Sequence, residues 1–203
     1  MDPICNAYKA IAQRSGLLPG ENVVIFGTGP LGLFSVQIAK IMGALNIVVV
    51  GLEEDVKVRF GVARQLGATE VVNGSAEDVV KRCQEICGGS DSIGLVVDCA
   101  GANICLKQAI EMVRCNGEIV RVGMGFKPVG FSINDISMKA VSIIGHMAYD
   151  ATSWRNSLQL LAAGRIQVKP MITHRLGLSR WEEGFEAMAD KEAIKVILTY
   201  DLD

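Results

Sequence analysis

Asn22-Val23-Val24-Ile25-Phe26 runs directly into Gly27-Thr28-Gly29-Pro30-Leu31-Gly32, and that junction decides the fold. A short, nearly unbroken apolar run is what a strand buried on both faces of a parallel sheet needs. The three glycines then fall at the spacing of a dinucleotide-binding turn. Gly27 permits a tight turn, Gly29 has no side chain to hold a pyrophosphate off the backbone, and Gly32 lets the following helix pack close to the strand. Thr28, Pro30 and Leu31 complete the turn, and the N–H groups and dipole at the helix start favour an anion there. In a chain with 22 glycines the string alone decides little. Its place between a buried strand and a helix carries the reading.

Working outward, residues 31–42 form a helix apolar nearly all round, with Gln37 and Lys40 on its one polar side. The alternation then repeats. Strands are predicted at 47–50, 70–72, 93–99, 117–122 and 141–145, with helices at 55–66, 75–86 and 103–114. Ser75-x-x-Asp78 reads as the cap of the second of these helices. A further helical stretch at 5–15 precedes the first strand. Strands alternating with helices of this length mean βαβ units, a parallel sheet and an α/β doubly wound Rossmann architecture. From about residue 151 the rhythm changes. A helix at 153–163 stops at Gly164, a short strand spans 171–174, and Ser179-x-x-Glu182 reads as a capping box for a helix reaching Ala189. A closing strand follows at 195–200. The expected organisation is a junction at 1–20, a dinucleotide-binding domain at 21–150, and a C-terminal return segment at 151–203.

The second strand ends at Val50-Gly51, where an acidic residue would normally grip the ribose hydroxyls. Glu53, Glu54 and Asp55 lie just beyond, and Glu53 is by position the one expected to fold back. Three acids would repel a 2′-phosphate, so NAD is favoured over NADP, although Arg59 argues the other way. The net charge of −2 speaks against nucleic acid as a partner. No apolar run approaches a membrane span and the first residues lack a signal-peptide pattern, so the chain reads as soluble and cytoplasmic. Six cysteines without framework spacing read as reduced thiols. Cys83 and Cys87, one helical turn apart, lack further ligands and read as packing residues. His146 follows a strand and is a candidate to reach the cofactor; His174 reads as structural.

Together these segments resemble the zinc-dependent medium-chain dehydrogenases, in particular the polyol (sorbitol) and threonine dehydrogenase branch. The matching pieces are Asp2-Pro3 with Asn6-Ala7-Tyr8, the run from Pro19 through Leu33, Leu66-Gly67-Ala68, Val96-Val97-Asp98-Cys99-Ala100-Gly101, and the stretch from Gly117 to Gly123. Ile144-Gly145, Pro170-Met171-Ile172-Thr173-His174 and Glu183-Gly184-Phe185 complete the series. The resemblance places Leu31 beneath the pyrophosphate and Arg59 beside the adenosine ribose. It places Ala100 in the cofactor site, Val122-Gly123-Met124 and His146-Met147 beside the nicotinamide, and Asn6 near its ring. Gly51 stands at the family's ribose-acid position, followed by what looks like a three-residue insertion. The family's catalytic zinc is held mostly by residues of a domain preceding this stretch. Asp2 matches one later acidic position, and one carboxylate makes no zinc site.

The implied activity is hydride transfer between a nicotinamide and a secondary alcohol or ketone, with zinc in the parent enzyme. This chain is expected to bind cofactor without turnover. A nucleotide-sensing module and a zinc-free reductase of the quinone-reductase kind are the alternatives. Trp154 and Trp181 read as anchors against the catalytic domain. The apolar faces of the tail helices and the edge strand at 141–144 point to a homodimer or higher assembly.

Overall fold

In the computed structural model, which describes residues 1–200, β1 (Asn22–Phe26), β2 (Ile47–Gly51) and β4 (Ile93–Asp98) are buried at every position. They join β3 (Glu70–Asn73), β5 (Glu118–Arg121) and β6 (Ser142–Gly145) in one parallel sheet of order 3-2-1-4-5-6. Side chains of successive strand residues face opposite ways, so Val23 and Ile25 enter one core while Val24 and Phe26 enter the other. The first core lies under α2 (Pro30–Ile41) and α3 (Arg59–Leu66); the second lies under α4 (Val79–Cys87) and α5 (Asn103–Met112). The polar Asn22 is tolerated in a buried strand because its amide bonds to the carbonyls of Cys87 (3.1 Å) and Ser92 (2.9 Å).

Several boundaries differ from the sequence reading. The first helix, α1 (Asp2–Tyr8), begins earlier, with a proline in its first turn, and runs on as a π-helical stretch, Lys9–Arg14. Helix α4 starts at Val79 rather than at 75. Its cap is Asp78, which accepts from the Lys81 N–H (3.1 Å), while Ser75 Oγ accepts from the Glu53 N–H (3.1 Å). Helix α3 starts only at Arg59, after a 3₁₀ turn at Glu53–Asp55. A short helix, α6 (Ile133–Ser137), was not anticipated; Ser132 caps it.

Helix α7 (Ala151–Ala162) opens on Asp150, which exchanges bonds with Ser153 in both directions (2.8 and 2.9 Å). It ends at Gly164, whose φ of 66° suits a residue without Cβ. After it, β7 (Ile172–Gly177) and β8 (Lys195–Thr199) pair in parallel across α8 (Trp181–Ala189). The strand–helix–strand rhythm therefore continues, but into a separate two-stranded sheet. Helix α8 begins at Trp181 with Arg180 in the cap position, its guanidinium 2.6 Å from Glu183, and a 3₁₀ turn at Leu178–Arg180 leads into it. The tail is nevertheless anchored. Ile166, Met171 and Ile194 are buried in the first core, and Gln37 exchanges two hydrogen bonds with the backbone of Gln167 (3.0 and 2.7 Å). Among the described residues no helix is long and apolar enough to cross a membrane.

Candidate functional site

Strand order reverses between β1 and β4, and ligands of open α/β sheets sit in the crevice beyond the strand ends at such a point. A crevice of about 470 Å³ lies there, lined by Gly27, Thr28, Gly29, Gly51, Asp55, Arg59, Ala100 and Lys191 among others. A wider groove of about 600 Å³ between α5 and α6 is lined by none of the glycine-turn residues.

The turn is built as its glycines demand. Gly27 has φ 104° and donates its N–H to the Val50 carbonyl (2.8 Å). A Cβ on Gly32 would run into the Gly27 carbonyl oxygen, so α2 approaches β1 more closely than any side chain allows. A Cβ on Gly29 would meet nothing within 4 Å and would project into open space at the rim of the crevice. No side chain caps α2, which leaves its first N–H groups for an anion. Leu31 is half-buried against the first core.

At the end of β2 the geometry departs from expectation. Glu53 is exposed and accepts from the Asn73 amide (2.5 Å); it does not line the crevice. Asp55 does, with only 5% of its surface exposed. Its Oδ2 accepts from the Leu52 N–H (2.8 Å), closing the inserted turn, and its Oδ1 lies 3.3 Å from Arg59 Nη1. Arg59 Nη2 donates to the Ala193 carbonyl (2.9 Å), and its buried Nε has no protein partner. Lys191 also lines the crevice and pairs with Glu54 (2.5 Å), a bond that holds the Glu54 carboxyl below its usual range.

Beyond β4 and β5 lies a feature the sequence reading did not identify. Asp98 is fully buried and accepts from the N–H groups of Ala100 (3.0 Å) and Gly101 (2.8 Å). Arg121 lies opposite it in the parallel register, with Nη1 2.6 Å from the Asp98 carboxylate and Nη2 2.7 Å from the Gly101 carbonyl. Burial pushes the Asp98 carboxyl up against these opposing influences. The pair ties together two loops packed backbone to backbone: a Cβ on Gly101 would sit 2.5 Å from the Met124 carbonyl, and one on Gly123 would strike the Gly101 nitrogen. The available signal was a charged residue ending each of two apolar strands, Val96-Val97-Asp98 and Ile119-Val120-Arg121.

The remaining candidates form a second group. His146 Nε2 lies 3.0 Å from Asn6 Oδ1, and Asn6 Nδ2 donates to the Asp2 backbone carbonyl (3.1 Å) and carboxylate (3.2 Å). Because the Asn6 nitrogen is engaged with Asp2, its oxygen faces the ring, so the proton sits on Nε2 and the buried, unpartnered Nδ1 is an acceptor. Burial, with Lys9 and Arg14 nearby, holds His146 below its ordinary pKa. Asp2, Asn6 and His146 are thus brought together, whereas Met124 and Met147 are exposed and, like Val122, Gly123 and His146, do not line the crevice.

Asp2 is exposed, and among the described residues no three His, Cys, Asp or Glu side chains are grouped so as to hold a metal. The described residues do not fit a zinc ion. Four of the thiols are made inert by burial, which pushes Cys83 and Cys99 up to about 12, and Cys87 and Cys105 to about 11, whereas Cys115 is exposed.

Residues 30–163 match the family described as zinc-binding dehydrogenase. The chain belongs to that family. It is 73% identical over 203 residues to the "Uncharacterized zinc-type alcohol dehydrogenase-like protein YdjL" of Escherichia coli (strain K12), covering all of this chain and 56% of that protein. It is 31% identical over 199 residues to the sorbitol dehydrogenase of Halalkalibacterium halodurans, covering 98% of this chain and 57% of the relative. Among solved structures it is similar to a putative zinc-binding dehydrogenase from Sinorhizobium meliloti 1021 bound to NADP, with a TM-score of 0.86 and 25% identity over 97% of this chain and 57% of that one. The chain therefore spans little more than half the length of these relatives.

Proposed function

We propose that this chain is the cofactor-binding part of an alcohol or polyol dehydrogenase of the zinc-binding family, and that its crevice holds NAD(H). The open space at Gly29, set between a positive-φ Gly27 and a Gly32 pressed against it, carries the reading. The diphosphate would lie on the backbone of Gly27 to Gly32 at the start of α2, and the adenosine ribose beside Gly51, Asp55 and Arg59. The unpartnered Arg59 Nε is a donor in want of an acceptor, as a ribose oxygen supplies. Ala100, Val122, Gly123, Met124, His146, Met147 and Asn6 are assigned to the nicotinamide side. Bound nicotinamide supplies a hydride acceptor at C4. The protein's part is to hold and orient it, with the Asp98–Arg121 pair fixing the two loops beneath.

The proposal includes that the chain by itself binds cofactor and does not turn over alcohols, a reading supported by the lack of a grouped zinc-ligand set among the described residues. That same observation supports a nucleotide-sensing module as the second reading. The domain division at residues 20 and 150, cytoplasmic location and self-association are part of the proposal; the exposed β6 edge and the apolar face of α8 are the surfaces for association. Calorimetry with NAD and NADP on the 203-residue chain tests binding directly. Micromolar binding of a dinucleotide is expected, and no heat with either would overturn the reading. Zinc-dependent oxidation of sorbitol or simple alcohols by the same chain would overturn the claim that it binds without turnover.

A further inference from the structure

We infer that Arg121 is a positioning residue for the nicotinamide half of the dinucleotide, acting through Asp98 by setting two glycine loops at a fixed spacing before the cofactor arrives. The inference rests on the reading that the crevice takes a nicotinamide dinucleotide. Asp98 and Arg121 are register partners and the last residues of β4 and β5. They therefore stand where the strands give way to the loops that receive a ligand. Their bonds reach both loops. The Asp98 carboxylate holds the N–H groups of Ala100 and Gly101, and Arg121 Nη2 holds the Gly101 carbonyl. On the other side, the Asp98 backbone carbonyl accepts from the N–H groups of Val122 (2.9 Å) and Gly123 (2.7 Å). Ala100 lines the crevice, and Val122, Gly123 and Met124 follow Arg121 directly.

Two observations say that the pair secures the spacing of these loops and does more than fill the sheet end. First, the backbones touch with no side chain between them. A Cβ on Gly125 would run into the Gly101 carbonyl oxygen, and those on Gly101 and Gly123 are excluded in the same way. Glycine loses the most conformational freedom on ordering, so loops of this kind need to be held from outside. Second, a buried ion pair adds little net stability over apolar residues of similar volume. Apolar side chains would fill the ends of β4 and β5, as Val96, Val97, Ile119 and Val120 do just before them. They could not bind the Gly101 N–H and its carbonyl together, which Asp98 and Arg121 do. Order set in advance leaves more of the contact energy to appear as affinity.

Arg121→Lys tests this, because an ammonium keeps the charge beside Asp98 but does not reproduce the fork that spans the carboxylate and the Gly101 carbonyl. Calorimetry on the 203-residue chain would compare NADH with ADP-ribose, which lacks the nicotinamide, and with AMP, which probes the adenosine end alone. The unsubstituted chain is expected to bind NADH about tenfold or more tighter than ADP-ribose, the size of one well-placed hydrogen bond. Arg121→Lys should lose most of that margin while AMP binding changes by less than about twofold. The fluorescence of bound NADH, which reports the surroundings of the nicotinamide ring, should move toward that of the free cofactor. Asp98→Asn,Arg121→Leu separates positioning from stability: without a stranded charge it should be more stable than Arg121→Leu, yet its NADH margin stays lost. If Arg121→Lys does not fold, this double variant decides. An unchanged margin in a folded variant, an equal loss for NADH and AMP, or an unsubstituted chain with no margin overturns the inference while leaving the cofactor reading intact. Binding of neither NADH nor AMP by the unsubstituted chain defeats the underlying reading instead.

Discussion

The chain builds a parallel strand–helix–strand unit in two settings with different outcomes. In the main sheet, every residue of β1, β2 and β4 is buried between two helical layers. In the unit β7–α8–β8, Trp181, Phe185, Met188 and Leu198 remain exposed around an apolar hollow of about 250 Å³. The local rhythm is the same. The difference is a missing second layer: the small sheet is covered by α8, whose Trp181 and Phe185 pack edge to face on each other (5.7 Å) and otherwise stay largely exposed among the described residues. Exposed apolar faces of this kind favour contact surfaces, and the proposed self-association would use the second unit while the first buries its apolar surface internally.

The sharpest way to break this contrast is at the buried pair. Arg121→Leu strands the Asp98 carboxylate without its cation and should cost about 3–5 kcal/mol in urea denaturation. Adding Asp98→Asn should recover part of it. A loss under about 1 kcal/mol would mean the main sheet is not where stability resides. Next in size, Ile25→Ala removes a side chain with no exposed surface and should cost about 2–5 kcal/mol.

A third expectation concerns acid. The folded state holds His146 below the ordinary value of 6.5, so the unfolded chain takes up the proton first. The contribution is fully present above pH 6.5 and is lost as the pH falls from there toward the depressed value. Stability measured at pH 7.5 and 5.5 should fall in the unsubstituted chain, and the drop should shrink in His146→Gln. An equal drop in both would show that the ring is not protected in the fold. The smallest effect belongs to the other unit. Phe185→Ser, at a side chain 66% exposed, should change stability by less than about 0.5 kcal/mol while lowering self-association by light scattering. A cost comparable to Ile25→Ala would erase the distinction between the two units.

The site divides along the same lines. The turn from Gly27 to Gly32 was legible because its requirements are local: a strand, a glycine at positive φ, a glycine with no room for a Cβ, and a helix start, all within a dozen residues. Asp55 was only half legible. The sequence put an acid near the end of β2, yet which of Glu53, Glu54 and Asp55 faces the crevice depended on how the insertion folds back through Leu52 and on Asn73 drawing Glu53 outward. The shift of the α4 start from Ser75 to Asp78 has a similar cause, since Ser75 is engaged by Glu53 from the neighbouring loop. Asn6, 140 positions from His146, is joined to it only because α1 packs beside the end of β6.

By itself the sequence determined the alternation of buried strands and helices, the order in which they follow one another, and the glycine turn between β1 and α2, because hydrophobic period and backbone freedom act over a few residues. Tertiary structure alone decided that Asp98 meets Arg121 across two strands in register, that β7 and β8 leave the main sheet to pair with each other, and that Asp55 lines the crevice while Glu53 does not. Those outcomes depend on which distant segments come to share a few ångströms of buried space, and no local pattern encodes that.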